Sequence, residues 1–265
     1  MRLCNFILSS IIGVFSLVAM ANPLIGDGMT RVHDIQAGES IENAIRVTNT
    51  SKEEPLELKF FASDYHFSGG NVRYPEPGTL PRSCAGWISF TPTRSVLRAG
   101  ETIQLEYRVE VPAEGVAPGT YWSLVLVEPV VPAKPEQEDE TDDFDVRIVN
   151  RLAIQIVINV GEQPAPKVKY VAQEVRKTDD GKFYSVSVEN TGETWVRPEV
   201  WAEFFDSDGQ QVGRFPVKGI KRIYPTCSLT YDIPIGDLGA GEYTAIVVVD
   251  CGEDAFAGQY SVTLD

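Results

Sequence analysis

Ile103-Gln104-Leu105-Glu106-Tyr107-Arg108-Val109-Glu110-Val111 alternates apolar and polar residues without a break, and that run decides the class of fold. Successive side chains point to opposite faces in a β-strand, so one face of this run is made for a core and the other for water. The same period of two appears in Ile45-Arg46-Val47-Thr48, Leu56-Glu57-Leu58-Lys59-Phe60 and Tyr184-Ser185-Val186-Ser187-Val188. Gly, Pro, Asn and Asp punctuate these runs at strand spacing, and no amphipathic helix of about 12 or more residues stands out. The chain reads as all-β.

It also repeats itself. Val47-Thr48-Asn49-Thr50-Ser51, followed by Phe60-Phe61-Ala62-Ser63-Asp64, returns as Val188-Glu189-Asn190-Thr191-Gly192 followed by Phe204-Phe205-Asp206-Ser207-Asp208. Pro118-Gly119-Thr120-Tyr121-Trp122 opens an apolar run that returns after Ala240-Gly241-Glu242-Tyr243-Thr244. The order is the same in both halves, which implies two tandem immunoglobulin-like β-sandwiches. Gly161-Glu162-Gln163-Pro164-Ala165-Pro166 is the short, stiff boundary between a domain at 22–163 and one at 164–265.

Residues 1–21 read as a cleaved signal peptide. Arg2 precedes an apolar stretch from Phe6 to Val18, and Ala19-Met20-Ala21 offers a small-x-small cleavage site near Ala21. Ser9, Ser10 and Ser16 break the stretch, which falls short of the roughly 20 residues that a membrane span requires. The mature chain is expected to be periplasmic or extracellular, with no membrane span. Export permits disulfides. Cys227 and Cys251 flank two strand-like runs, Ser228–Ile233 and Tyr243–Asp250, which as a hairpin would bring the cysteines face to face. A Cys227–Cys251 disulfide is one reading and two unpaired thiols the other, with Cys84 a buried apolar residue.

In the 265 residues, Asp and Glu number 38 against 23 Lys and Arg, a net charge of −15. A phosphate backbone would repel such a chain, so nucleic acid is not an expected partner. Glu136, Glu138, Asp139, Glu140, Asp142, Asp143 and Asp145 crowd into 132–145, which reads as a solvated acidic loop. A basic partner or a metal that orders it is the alternative. No nucleophile elbow, zinc-binding His pair, phosphate loop or Cys-x-x-Cys is present, so the chain reads as no enzyme, with no catalytic residue, metal or cofactor expected. Asp64 and Asp206-Ser207-Asp208-Gly209 end strands as turns, with a calcium site as the other reading. Asn49-Thr50-Ser51 matches a glycosylation acceptor and equally a strand-end turn. Of the four tryptophans, Trp195 lies next to a turn and is the candidate for an exposed sugar platform in a carbohydrate-binding module.

Met29-Thr30-Arg31-Val32, then Val47-x-Asn49-x-Ser51 with Pro55, Thr91-Pro92 before Leu97 and Gly100-Glu101, Tyr121-Trp122 at a strand start, and a long alternating strand holding Arg151 follow in order. This pattern resembles the periplasmic chaperones of pilus assembly. The resemblance implies a chaperone for fibre or surface-protein subunits, acting by β-strand donation, with secreted or pilus-like subunits as partners and an outer-membrane usher as a further one. It implies that Arg31 and Arg151 bind the subunit's terminal carboxylate in the interdomain cleft, a contact of charge-assisted, paired hydrogen bonds. Phe144, Val146 and Ile148, on alternate positions, are the implied donor strand. The Gly-Thr-Tyr element also resembles cell-envelope domains that attach surface proteins to the wall, so a non-catalytic structural or adhesive envelope module remains the alternative.

Overall fold

The computed structural model describes residues 22–130, 149–219, 221–236 and 238–265. The expected signal peptide, the whole of the acidic loop 132–145, and Phe144, Val146 and Ile148 lie outside the described residues. The first half contributes β1 (Pro23–Ile25), β2 (Thr30–Ile35), β3 (Ser40–Asn49), β4 (Leu56–Ser63), β5 (His66–Ser68), β6 (Asn71–Arg73), β7 (Ile88–Thr91), β8 (Arg94–Leu97), β9 (Thr102–Glu110), β10 (Gly119–Pro129) and β11 (Leu152–Val160). They form a four-stranded sheet β1-β3-β9-β7 facing a five-stranded sheet β2-β11-β10-β4-β8, with β5 and β6 a separate hairpin. The second half contributes β12 (Val168–Thr178), β13 (Gly181–Asn190), β14 (Glu199–Phe205), β15 (Gln211–Pro216), β16 (Ser228–Pro234), β17 (Gly241–Asp250) and β18 (Ala255–Leu264). Here β12-β13-β16 faces β15-β14-β17-β18. Each half is a sandwich, because alternating strands can bury their apolar face only against a second sheet.

The repeated residues do the same work twice. Asn49 and Asn190 are both fully buried at the end of a strand. The Asn49 amide nitrogen donates to the carbonyls of Glu54 (2.9 Å), Leu97 (3.2 Å) and Arg98 (3.1 Å), and its oxygen accepts from Ser51 N. Asn190 donates to Thr194 O (2.8 Å) and Ile223 O (2.9 Å) and accepts from Gly192 N. Asn49 is therefore a clamp between loops, and its amide is not accessible to glycosylation. Tyr121 donates its hydroxyl to the carbonyl of Ala117 and Tyr243 to that of Gly239, four residues upstream in both cases. Each is a tyrosine corner, a hallmark of immunoglobulin-like sandwiches.

One expectation fails. β16 pairs with β13 in one sheet, whereas β17 pairs with β14 and β18 in the other, so 235–240 crosses between sheets instead of turning a hairpin. Cys227 and Cys251 are free thiols, as is Cys84. The turn-like Gly-Asp-Leu-Gly-Ala-Gly sequence is common to both kinds of connection, and only sheet assignment separates them.

The halves are packed against one another. Trp122 of β10 stacks on Tyr224 with ring centroids 4.8 Å apart and planes 7° from parallel, and donates its indole N–H to Tyr65 O at 2.6 Å. Phe67, Trp122 and Val157 from the first half join the core of the second. The β5–β6 hairpin reaches across, with Gly69 N donating to Ser228 Oγ and His66 Nε2 meeting Thr226 O. Gly119 sits where the backbones nearly touch: a Cβ there would lie 2.4 Å from Glu193 O, and φ is +125°.

Candidate functional site

The five-stranded sheet has an incomplete edge. β10 pairs with β11 over the whole of Leu152–Val160, but on the other side β2 pairs with it, in parallel, only from Gln155 (opposite Thr30) to Val160. Among the described residues, Leu152, Ala153 and Ile154 thus have no strand partner on that side. The chain enters β2 through a turn that switches it from the four-stranded to the five-stranded sheet. Gly28 at φ +83° makes that turn possible, and Arg31 holds it by donating Nη1 to Asp27 O (2.6 Å) and Gly28 O (3.1 Å).

Arg31 commits Nη1 to this turn, whereas its buried Nη2 lies 4.0 Å from Asp27 Oδ2 and makes no hydrogen bond. Its side chain is 11 % exposed and stands level with Ile156, on the core side of the sheet. Arg151 lies five positions before Ile156 on the neighbouring strand, about 16 Å along the strand direction. It occupies the opposite parity, paired with Glu128 through Nε and Nη2 and lying 5.4 Å from the Phe61 ring. The structure does not bring Arg31 and Arg151 together, and one carboxylate cannot bridge them. The Thr-Arg pair alternates faces, and it is Thr30 that lines the cleft between the domains.

That cleft, about 320 Å³, is lined by Thr30 and Gln155 from the strands, by the aromatic rings of Tyr65, Phe67 and Tyr224, and by Lys221 and Arg222. Tyr224 donates its hydroxyl to Gln155 Oε1 at 2.5 Å, and its phenol is pushed up to about 12, mainly by burial. Arg222 lies 4.4 Å over Trp195 and 6.0 Å from the Tyr224 ring centroid, and its buried Nε makes no hydrogen bond within the protein. Lys221, exposed, and Arg222, half-buried, put positive charge at this cleft, the chemistry that pairs with a carboxylate, although the Arg222 Nε itself is closed to solvent. Arg222 also covers the face of Trp195, which is therefore half-buried at the domain junction and no open sugar platform. Lys221-Arg222 escaped the sequence reading. The signal was there, as adjacent cations in an acidic chain, but only tertiary packing carries them to Gln155.

At the other end of the open edge lies a second cleft, of about 760 Å³, on the outward face of the sheet. Lys59, Arg94 and Arg151 line it around Glu128. Burial raises the Glu128 carboxyl, but hydrogen bonds from Lys59 (2.5 Å) and Arg151 outweigh it and hold the group below its usual value.

The calcium reading of Asp64 gives way to a simpler one. Asp64 is fully buried and accepts from Ser83 Oγ (2.5 Å), Thr79 N and Leu80 N (2.9 Å each). Asp206 Oδ1 accepts from Asp208 N and Gln210 N within its own turn. Among the described residues no group of three or more His, Cys, Asp or Glu is placed to hold a metal, and no helix is long and apolar enough to cross a membrane.

No protein-family model matches the chain, and no curated protein does. Solved structures do resemble it. A chaperone–tip adhesin complex of CFA/I fimbriae biogenesis is 16 % identical, with 92 % of this chain and 100 % of that one covered, at a TM-score of 0.48. The CsuC–CsuE chaperone–tip adhesion subunit complex of Acinetobacter baumannii Csu pili is 14 % identical over 90 % and 98 %, at 0.46. The Salmonella enterica SafA pilin–SafB chaperone complex is 15 % identical over 92 % and 97 %, at 0.44. Identities this low, with TM-scores under 0.5, leave the function to be argued from the chain's own residues.

Proposed function

We propose that the chain is a non-catalytic periplasmic chaperone for fibre or surface-protein subunits, which it holds by β-strand donation. The observation that carries this reading is the half-open edge of β11. An unpaired stretch of edge presents a row of backbone N–H and C=O groups to any incoming strand. Leu152, Ile154, Ile156 and Ile158 line or pack against the core of the first sandwich, and Phe144, Val146 and Ile148 continue the same parity upstream in sequence. Those three are the residues to fill a subunit's empty core. A subunit strand laid along Leu152–Ile154, in line with β2, ends at Gln155. If it runs parallel to β11 its terminal carboxylate arrives beside Lys221 and Arg222, which take the role that the family resemblance assigned jointly to Arg31 and Arg151.

The test is a pull-down of the mature protein from its own host, read by mass spectrometry. A small β-rich subunit is expected at about one copy per chaperone. Val146→Asp with Ile148→Asp should cut its recovery at least about tenfold, the loss of a little over 1.4 kcal/mol, while circular dichroism stays unchanged. Recovery of wall fragments or large surface proteins, indifferent to those substitutions, would overturn the proposal in favour of a structural envelope module.

A further inference from the structure

In a chain of net charge −15, three cations converge on one cleft at the outer end of the open edge. Lys59 and Arg151 are aligned by the Phe61 ring, 5.4 Å from each, and share Glu128. Arg94, two-thirds exposed, pairs among the described residues with Glu57 at 3.6 Å. Glu128 is 12 % exposed, so the carboxylate is withdrawn while all three cationic ends remain open to solvent. Ala153, on the open stretch of β11, lines the cleft, so a strand added there carries its outward side chains past these cations. Tyr74 and Val149, both largely exposed, give the cleft an apolar rim.

We infer that this cleft selects the bound strand by a carboxylate side chain. This rests on the strand-pairing reading and adds a register to it. With the strand's C-terminus at Gln155, the residue beside Arg151 is about four positions earlier, about 13 Å away along the strand. The preferred partner is therefore an extended acidic tail with Asp or Glu about four residues before its end, flanked by apolar residues that meet Tyr74 and Val149. Lys59 and Arg151, partly desolvated and pre-aligned, supply charge-assisted hydrogen bonds to that side chain, and Arg94 adds a longer-range field.

The experiment uses the full mature chain and fluorescence anisotropy with two labelled peptides of alternating Val and Thr. One has Glu four residues before the C-terminal residue, the fifth position from that free end, and the other has Gln there. The Glu peptide is expected to bind about tenfold more tightly, the scale of one hydrogen bond to a charged group. Arg94→Glu, which touches only an exposed ion pair, should narrow or invert that preference with the thermal midpoint unchanged. Arg151→Gln with Lys59→Gln should abolish it. Equal affinity for both peptides overturns the inference while leaving strand pairing standing, and assigns the cations to the chain's own acidic neighbours. Binding of neither peptide sinks strand pairing and this inference together.

Discussion

β10 and β17 are the same strand written twice, yet they live in different surroundings. Both start with a tyrosine corner, and Ser123, Val125 and Val127 are buried as their counterparts Ala245, Val247 and Val249 are. The outward positions diverge. Trp122, Leu124 and Leu126 are no more than 2 % exposed, whereas Thr244, Ile246 and Val248 are only half-buried. Trp122 carries the outer face of β10 into the core of the second domain and Leu126 lines the outer cleft, whereas the outward positions of β17 stay partly exposed. Duplication thus kept the inward half of the alternation, which makes the core, and freed the outward half to build a domain junction in one copy only.

The strongest way to break this comparison is at its most divergent position. Trp122→Ala removes the Tyr224 stack and the indole bond to Tyr65, and is expected to cost about 3–5 kcal/mol. Thr244→Ala at the equivalent site should stay within about 0.5 kcal/mol. Urea midpoints of the two variants decide it, and similar losses would mean that the junction adds nothing. The asparagine clamps sharpen the conserved side. Asn49→Ala and Asn190→Ala each strand buried carbonyls and should each cost about 1–3 kcal/mol, alike in both halves. A loss confined to one half, read from urea midpoints, would show that the repeated motif no longer does the same job.

The smallest effect concerns reactivity. Burial foremost pushes the Cys84 thiol up to about 12 and those of Cys227 and Cys251 up to about 11. Alkylation needs the thiolate, so raised values mean less reaction at any given pH. Native protein at pH 8 should take up almost no iodoacetamide. Labelling should begin above about pH 10 at Cys251, the half-exposed one, and end with Cys84. Peptide mapping after a pH series checks the order, and fast labelling of Cys227 at pH 8 would contradict its burial.

Much of the fold is legible in alternation and repetition. The period of two in Ile103–Val111, the paired Asn49 and Asn190, and the paired Tyr121 and Tyr243 are local or nearly local signals, readable wherever a residue's neighbours in sequence are its neighbours in space. What the sequence leaves open shares a cause. Ser228–Ile233 and Tyr243–Asp250 look like hairpin arms, and nothing nearby in sequence says that they belong to opposite sheets. The Thr-Arg motif points to Arg31, and only the pairing of Thr30 with Gln155 tells which of the two adjacent side chains lines the cleft. Trp195 sits by a turn, and its cover, Arg222, comes from 27 residues further on.

The sequence by itself determined an all-β chain, two similar sandwiches, a stiff boundary near Pro164 and an acidic balance, because strand period, turn chemistry and charge are properties of short stretches. Tertiary structure alone decided where the open edge of β11 stops, that Lys221 and Arg222 meet Gln155, and that Lys59, Arg94 and Arg151 share a cleft. Those groups come from strands and loops far apart in the chain. Which of them meet depends on sheet order and on the packing of Trp122 against Tyr224, and periodicity carries no information about either.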